Sequence, residues 1–162
     1  MIWLLACAGS PEVSKAQLAP EPIGLAECDV CGMIVQEQLA PRGQYVARDG
    51  HRAMVCSLEE LRAAVQAPSS HGQAVQVWVE TLPGGPLVDT TAQQTWVAAD
   101  DAWFVFGAER PLVMGTPVLA YADAPTAQQV ASTLQSVPVR WDTLVTTPFD
   151  RVPSGALTVE SP

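Results

Sequence analysis

The chain has 162 residues, which suits one compact domain or two small ones sharing a core. Apolar residues make up 48% of it and charged residues only 15%, which argues against disorder for the body of the protein. Seventeen acidic residues against eight basic ones leave a net charge of −9, which excludes a nucleic-acid partner, and no apolar run approaches the roughly 18 residues of a membrane-spanning helix.

The chain opens with Met1-Ile2-Trp3-Leu4-Leu5-Ala6-Cys7, wholly apolar and ending in Leu-Leu-Ala-Cys. This resembles a bacterial lipobox, so Cys7 is expected to become a lipidated N-terminus; the competing reading is an apolar start with a buried thiol. The stretch before Cys7 carries no Lys or Arg and is short for a signal peptide, so the true start is expected upstream. Ala8 to Pro22, rich in Pro, Ala, Ser and Glu, reads as a flexible tether, and Ala8 after the lipidated cysteine suits an outer membrane. Residues 1–24 are thus read as lipoprotein signal and tether.

Next comes Cys28-Asp29-Val30-Cys31-Gly32-Met33, then a short apolar piece to Val35 and a break at Pro41-Arg42-Gly43. Tyr45 to Arg48 and His51 to Val55 flank Asp49-Gly50, which predicts a β-hairpin with a two-residue turn. Ser57-Leu58-Glu59-Glu60 is a capping box opening a helix that runs to about Gln66, with Leu58, Leu61 and Val65 on one face. Val75, Val77 and Val79 then alternate with Gln76, Trp78 and Glu80, the period of a half-buried strand. Thr81 to Pro86 is a Pro/Gly loop and the predicted boundary between halves.

Beyond it, Trp96 to Ala99 leads to Trp103-Phe104-Val105-Phe106, and Val118 to Tyr121 is a further strand. Asp100-Asp101 reads as a solvated turn. Asp123 and Pro125 open a second helix with Val130, Leu134 and Val137 facing inward, and Pro138 closes it before a last strand at Val139 to Trp141. Strand, strand, helix, strand therefore occurs twice. The prediction is an α+β fold of two similar ββαβ units, residues 25–82 and 83–145, with residues 146–162 as a flexible tail.

The chemistry concentrates in the first sulfur-rich stretch. Two thiols spaced C-x-x-C and a thioether two residues on are soft donors that favour Cu(I). A disulfide between Cys28 and Cys31, with Met33 as core filler, is the alternative. In the second half, Met114 sits in a loop between Gly107 and Pro117, flanked by Gly115, where it either supplies another ligand or fills the gap between units. Cys56 reads as a small buried thiol and His51 as exposed hairpin polarity. Joined to Cys28 and Cys31 they make a zinc-like donor set, so a structural zinc module stays open, as does a thiol-disulfide redox protein using Cys28 and Cys31. His71 reads as loop. Gly32 stands where covalent haem attachment needs histidine.

Cys-Asp-Val-Cys-Gly-Met, the Asp49-Gly50 hairpin, Trp103-Phe104-Val105-Phe106-Gly107 and Pro111-Leu112-Val113-Met114-Gly115, after a lipobox, together resemble the NosL family over about residues 25–145. The resemblance implies two similar ββαβ units and a lipoprotein copper chaperone on the periplasmic face of a bacterial membrane. It implies no catalysis, but delivery of Cu(I) to apo nitrous oxide reductase, or another cuproenzyme, for assembly of its catalytic copper centre. By position, Cys31 matches the cysteine of the family's Cys-x-Met, Met33 its methionine, and Met114 the methionine of its Met-Gly loop. Cys28 occurs in part of the family and joins them as a candidate ligand. Val113 departs from the Pro or Gly that usually precedes that methionine.

Overall fold

The computed structural model describes residues 13–84, 87 and 89–148. The first described element is a short helix, α1 (Lys15–Leu18), capped by Ser14. Expected as part of a tether, this segment instead lies on the domain. The Arg52 guanidinium donates to the Gln17 and Ala19 carbonyls at 2.6 Å each, and Trp78 Nε1 to the Leu18 carbonyl at 2.8 Å. The Gln44 side-chain amide exchanges two hydrogen bonds with the Glu21 backbone, at 2.9 and 3.0 Å, and Ile23 is buried. A proline- and alanine-rich strip has free backbone groups, and polar side chains of the sheet satisfy them.

β1 (Gly43–Ala47) and β2 (Arg52–Val55) form the expected antiparallel hairpin, with Gly43 opposite Val55 and Val46 opposite Arg52. Its connection is Arg48-Asp49-Gly50, one residue longer than the two-residue turn: Ala47 N–H donates to the His51 carbonyl at 2.8 Å, and Gly50 N–H to the Ala47 carbonyl at 2.9 Å. Of the three, only Gly50 takes a positive φ, +92°, as a three-residue loop requires, and the Asp49 carboxylate accepts the His51 N–H at 2.9 Å. α2 (Leu58–Gln66) lays Leu58 and Leu61 on the sheet, so close that Leu61 occupies the space a side chain at Gly43 would need. β3 (Ala74–Thr81) then pairs antiparallel with β1, and β4 (Thr95–Ala98) with β3, giving the order β2-β1-β3-β4. β4 lies beyond the predicted boundary at Thr81–Pro86, yet completes the first sheet.

β5 (Trp103–Phe106) and β6 (Val118–Tyr121) form a second antiparallel sheet, met by the end of β3 where Leu82 N–H donates to the Ala120 carbonyl at 2.8 Å. Alternation divides this sheet between two cores. Phe104, Phe106, Val118 and Ala120 join the large core holding Val55, Leu58, Leu61 and Val79. Val105, Leu119 and Tyr121 face α3 (Ala124–Thr133) through Ala127 and Ala131. Of the apolar face expected at Val130, Leu134 and Val137, Val130 and Leu134 pack half-buried against this core, beside the fully buried Ala127 and Ala131. Gln135 turns left-handed (φ 51°) and ends the helix, which leaves Val137 68% exposed.

The predicted closing strand is reduced to one residue. Val139 exchanges two backbone hydrogen bonds with Phe104, at 2.8 and 2.9 Å, and then Arg140 caps α4 (Trp141–Thr146). Pro138 lacks an N–H and Trp141 is already helical, so no ladder can extend in either direction. Thr146, expected to begin the tail, is the last residue of α4, and residues 149–162 lie outside the described residues. The two ββαβ units are recognisable, the second with a minimal fourth strand.

A buried ion pair fastens the approach to β1. Arg42 and Glu80, both fully buried, meet through two contacts at 2.6 and 2.9 Å, and Arg42 also donates to the carbonyls of Gln38, Thr91 and Ala92. Glu80 accepts the Gln94 N–H at 2.9 Å as well, so both charges are satisfied and the loop after residue 89 is held against β3.

Candidate metal centre

The stretch Cys28–Met33 folds into a small closed turn. Cys28 N–H donates to the Met33 carbonyl at 2.7 Å, Gly32 N–H to the Cys28 carbonyl at 2.8 Å, and Glu27 pairs with Ile34 across the neck. Gly32 sits at φ +74°, a conformation that other residues adopt only with strain, and this lets so short a turn close. One leg runs parallel to β2: Cys28 bridges Met54, and Asp29 N–H donates to the Met54 carbonyl at 2.9 Å. The Tyr45 hydroxyl, reaching from β1, donates to the Asp29 carboxylate at 2.9 Å and holds that leg down.

Cys28 is thereby delivered to the end of β2, where Cys56 follows Val55 and precedes Ser57, the cap of α2. Ser57 Oγ accepts the Glu60 N–H at 3.2 Å, half of the predicted capping box. The other half is redirected. The Glu60 carboxylate takes the Cys56 N–H at 3.1 Å, and the same oxygen, Oε2, lies 3.5 Å from Cys28 Sγ.

The outcome is a cluster in which the sulfurs of Cys28, Cys31 and Cys56 and a Glu60 oxygen all lie within 4.8 Å of one another. The Cys31 and Cys56 sulfurs are 3.6 Å apart, and the Cys56 N–H points to Cys28 Sγ at 3.4 Å. An ion held at about 2.3 Å by thiolates sets them about 3.8 Å apart in a tetrahedron and about 4 Å apart in a triangle. Cys31 and Cys56 are close to that spacing, the whole set lies within 4.8 Å, and all three thiols are free. Cys28 and Cys56 are buried, whereas Cys31 is exposed. Burial pushes the Cys56 thiol far above its ordinary range, reinforced by Cys28 and Cys31 beside it; Cys31 is raised too, first by partial loss of water. Without metal these two are therefore neutral thiols at neutral pH.

Of the residues singled out in the sequence, Cys28 and Cys31 are in the cluster. Met33 closes the turn through its carbonyl, and its half-buried side chain packs against the large core. Met114 is 47% exposed on the loop between β5 and β6. That loop is fastened to α2, where Thr116 N–H donates to the carboxylate of Glu59, the neighbour of Glu60. Met114 thus stands at the same end of α2 as the thiols. His51 is at the other end of β2, its ring stacked on His71 at 3.8 Å, with His71 Nδ1 2.8 Å from Asp49. The set of Cys28, Cys31, Cys56 and His51 is not assembled, and Glu60 stands where histidine was considered. Cys7 lies outside the described residues.

Cys56, read as packing, and Glu60, read as a cap, belong to the cluster. The signal for both was their spacing, a thiol immediately before a helix cap and a carboxylate four residues later, which puts both at the first turn of a helix.

The sequence profile of the NosL family matches residues 23–142, a span that holds the thiol turn, Cys56, Glu60 and the Met114 loop. The chain belongs to the NosL family. The copper-binding lipoprotein NosL of Stutzerimonas stutzeri is 27% identical over 135 residues, covering 76% of this chain and 65% of the relative. The chain therefore spans a little under two thirds of that NosL relative's length. The crystal structure of the copper chaperone NosL from Shewanella denitrificans aligns with a TM-score of 0.66 at 21% identity, over 80% of this chain and 97% of that one. The mixed α/β architecture with antiparallel sheets is thus the NosL fold.

Proposed function

We propose that this NosL-family protein carries Cu(I) as cargo on Cys28, Cys31 and Cys56 and hands it to an apo cuproenzyme, with nitrous oxide reductase as the acceptor and its catalytic copper centre as the destination. The observation that carries the reading is the convergence of three free thiols within 4.8 Å of one another with one of them, Cys31, at the surface. Three soft sulfurs select a soft monovalent ion, and the exposed one is where an acceptor's ligand can attack. Met114, exposed on the loop fastened beside Glu60, is the second soft donor available during the exchange. Met33 supports the turn and is a ligand only if its thioether leaves the core. A lipid on Cys7 would hold the protein at the periplasmic face of a membrane, within reach of its acceptor. The relatives' names, one a copper-binding lipoprotein and one a copper chaperone, agree with this reading.

Reduced protein is expected to bind one Cu(I) in competition with a Cu(I) chelator. Cys31→Ser and Cys56→Ser should each weaken binding by more than about 100-fold, beyond the usual effect of outer-shell changes. Met114→Leu should weaken binding less but slow transfer to apo nitrous oxide reductase. Unchanged affinity in both cysteine variants would remove the site assignment. Transfer to some other apo-enzyme but not to nitrous oxide reductase would remove the acceptor.

One observation favours a second reading. The Glu60 carboxylate adds an oxygen to the three sulfurs, a four-donor set that suits zinc. Metal analysis after loading with both metals decides between them: retained zinc that Cu(I) cannot displace would make this a zinc module.

A further inference from the structure

The sequence pairs Cys28 with Cys31 as a C-x-x-C. The fold pairs Cys31 differently, with the Cys56 sulfur at 3.6 Å, while Cys28 Sγ is occupied by the Cys56 N–H at 3.4 Å and the Glu60 carboxylate at 3.5 Å. The two partners are also unlike in access. Cys31 is exposed on the turn beside Gly32, and Cys56 is buried at the junction of β2 and α2. Of the three clustered thiols, an incoming disulfide can therefore meet only Cys31, and a buried neighbour stands ready to resolve what forms.

We propose that Cys31 and Cys56 form a reversible disulfide that closes the metal site, with Cys31 as the thiol that meets the oxidant and Cys56 as the one that resolves. The oxidant is a disulfide, either a small molecule or a protein. Cys31 Sγ gives up its proton and attacks it, forming a mixed disulfide and expelling one thiolate, which takes up the proton. Cys56 Sγ then loses its proton as it attacks Cys31 Sγ, forming the Cys31–Cys56 bond and expelling the second thiolate, which leaves as the thiol. One disulfide is reduced, two cysteines are oxidised, and their two protons end on the departing thiols. The closing movement is short, from 3.6 Å to the roughly 2.05 Å of a bond, and the turn that carries Cys31 lies at the surface. The bond removes two of the three soft donors and leaves Cys28 alone. A bound Cu(I) protects both thiols by occupying them, so the protein is closed to metal only when empty. This gating rests on the cargo reading of the site.

The test equilibrates metal-free protein with oxidised glutathione, blocks remaining thiols, and maps tryptic peptides. Cys28 and Cys31 share residues 16–42, and Cys56 lies in residues 53–62. The expected product links these two peptides through Cys31 and leaves Cys28 blocked. It persists in Cys28→Ser, is replaced by a lasting glutathione adduct on Cys31 in Cys56→Ser, and does not form in Cu(I)-loaded protein. A bond within residues 16–42, a bond from Cys28 to Cys56, or a lasting adduct on Cys31 of the unaltered protein would overturn the pairing. The oxidised form should bind Cu(I) more than 100-fold more weakly and recover with a dithiol reductant; undiminished binding would overturn the gate. Cu(I) binding by the reduced protein is measured separately, and its failure removes the cargo reading whichever cysteines pair.

Discussion

Cys56 shows how one side chain changes meaning with its neighbours. On a strand end it would be a small apolar filler, and burial alone accounts for its low exposure. With Cys31 and Cys28 Sγ beside it and its own N–H taken by Glu60, it becomes a candidate ligand, and in the proposed site its proton must leave before Cu(I) can bind. Its raised thiol pKa has a consequence for the metal-free protein, since the fold keeps this thiol neutral while the unfolded chain ionises it near about 8.5. Below that pH the contribution to stability is complete, and it is lost as pH rises above it. Tyr45, pushed up to about 12 by burial and by the Asp29 carboxylate, adds a loss above its ordinary range near 10. Denaturant midpoints are therefore expected to fall from pH 8 to pH 11, and Cys56→Ala should flatten the first part of that fall. For Cu(I) the sign is opposite: each thiol proton displaced raises apparent affinity by about tenfold per pH unit, so binding should strengthen from pH 6 to pH 8.

Among the elements, α2 does most to bring the site together. Its first turn supplies the Ser57 cap and Glu60, and Glu59 beside them receives the Met114 loop. Its inner face presses Leu61 against Gly43 of β1, where an added Cβ would come within 2.6 Å of Leu61 Cδ2. Gly43→Ala should therefore cost about 1–3 kcal/mol by overpacking, read as a lower thermal midpoint. Because the displaced helix carries Glu59 and Glu60, the same variant should also bind Cu(I) more weakly. At the other loop, a Cβ on Gly115 would overlap the Glu59 carboxylate. Gly115→Ala should free the Met114 loop and slow copper transfer, with thiol-based affinity largely kept.

In the whole molecule, the two units share one core. Phe104, Phe106 and Val118 of the second sheet pack with Val55, Leu58 and Leu61 of the first, so the thiol cluster and the Met114 loop are fixed relative to each other by a common interior. The Arg42–Glu80 pair secures the segment leading into β1 and the loop leading to β4. Glu80→Gln is expected to cost about 3–5 kcal/mol, since it leaves the guanidinium buried without its counter-charge, whereas replacing both residues by apolar ones of similar volume should cost less. Denaturant unfolding of the single and double variants checks this.

The sequence alone determined what depends on neighbours along the chain. The hairpin about Asp49-Gly50, the Ser57 cap, the strand β3 and the apolar runs at β5 and β6 are short-range patterns and appear where expected. The hairpin connection is one residue longer, however, and the alternation of β3 fails at both ends, where Val75 is exposed and Glu80 is buried against Arg42. Family membership was legible for the same reason, because the Cys-x-x-Cys-Gly-Met and Met-Gly segments are local. Two end points were not legible. Whether Val137 turned inward depended on a left-handed residue at Gln135, and whether Val139 began a strand depended on a helix starting two residues later. Only the tertiary structure decided the composition of the candidate metal centre. Cys28, Cys56 and Glu60 meet because the turn lies parallel to β2 and stops at its end, a placement fixed by bonds to Met54 and Tyr45 that no spacing in the chain records.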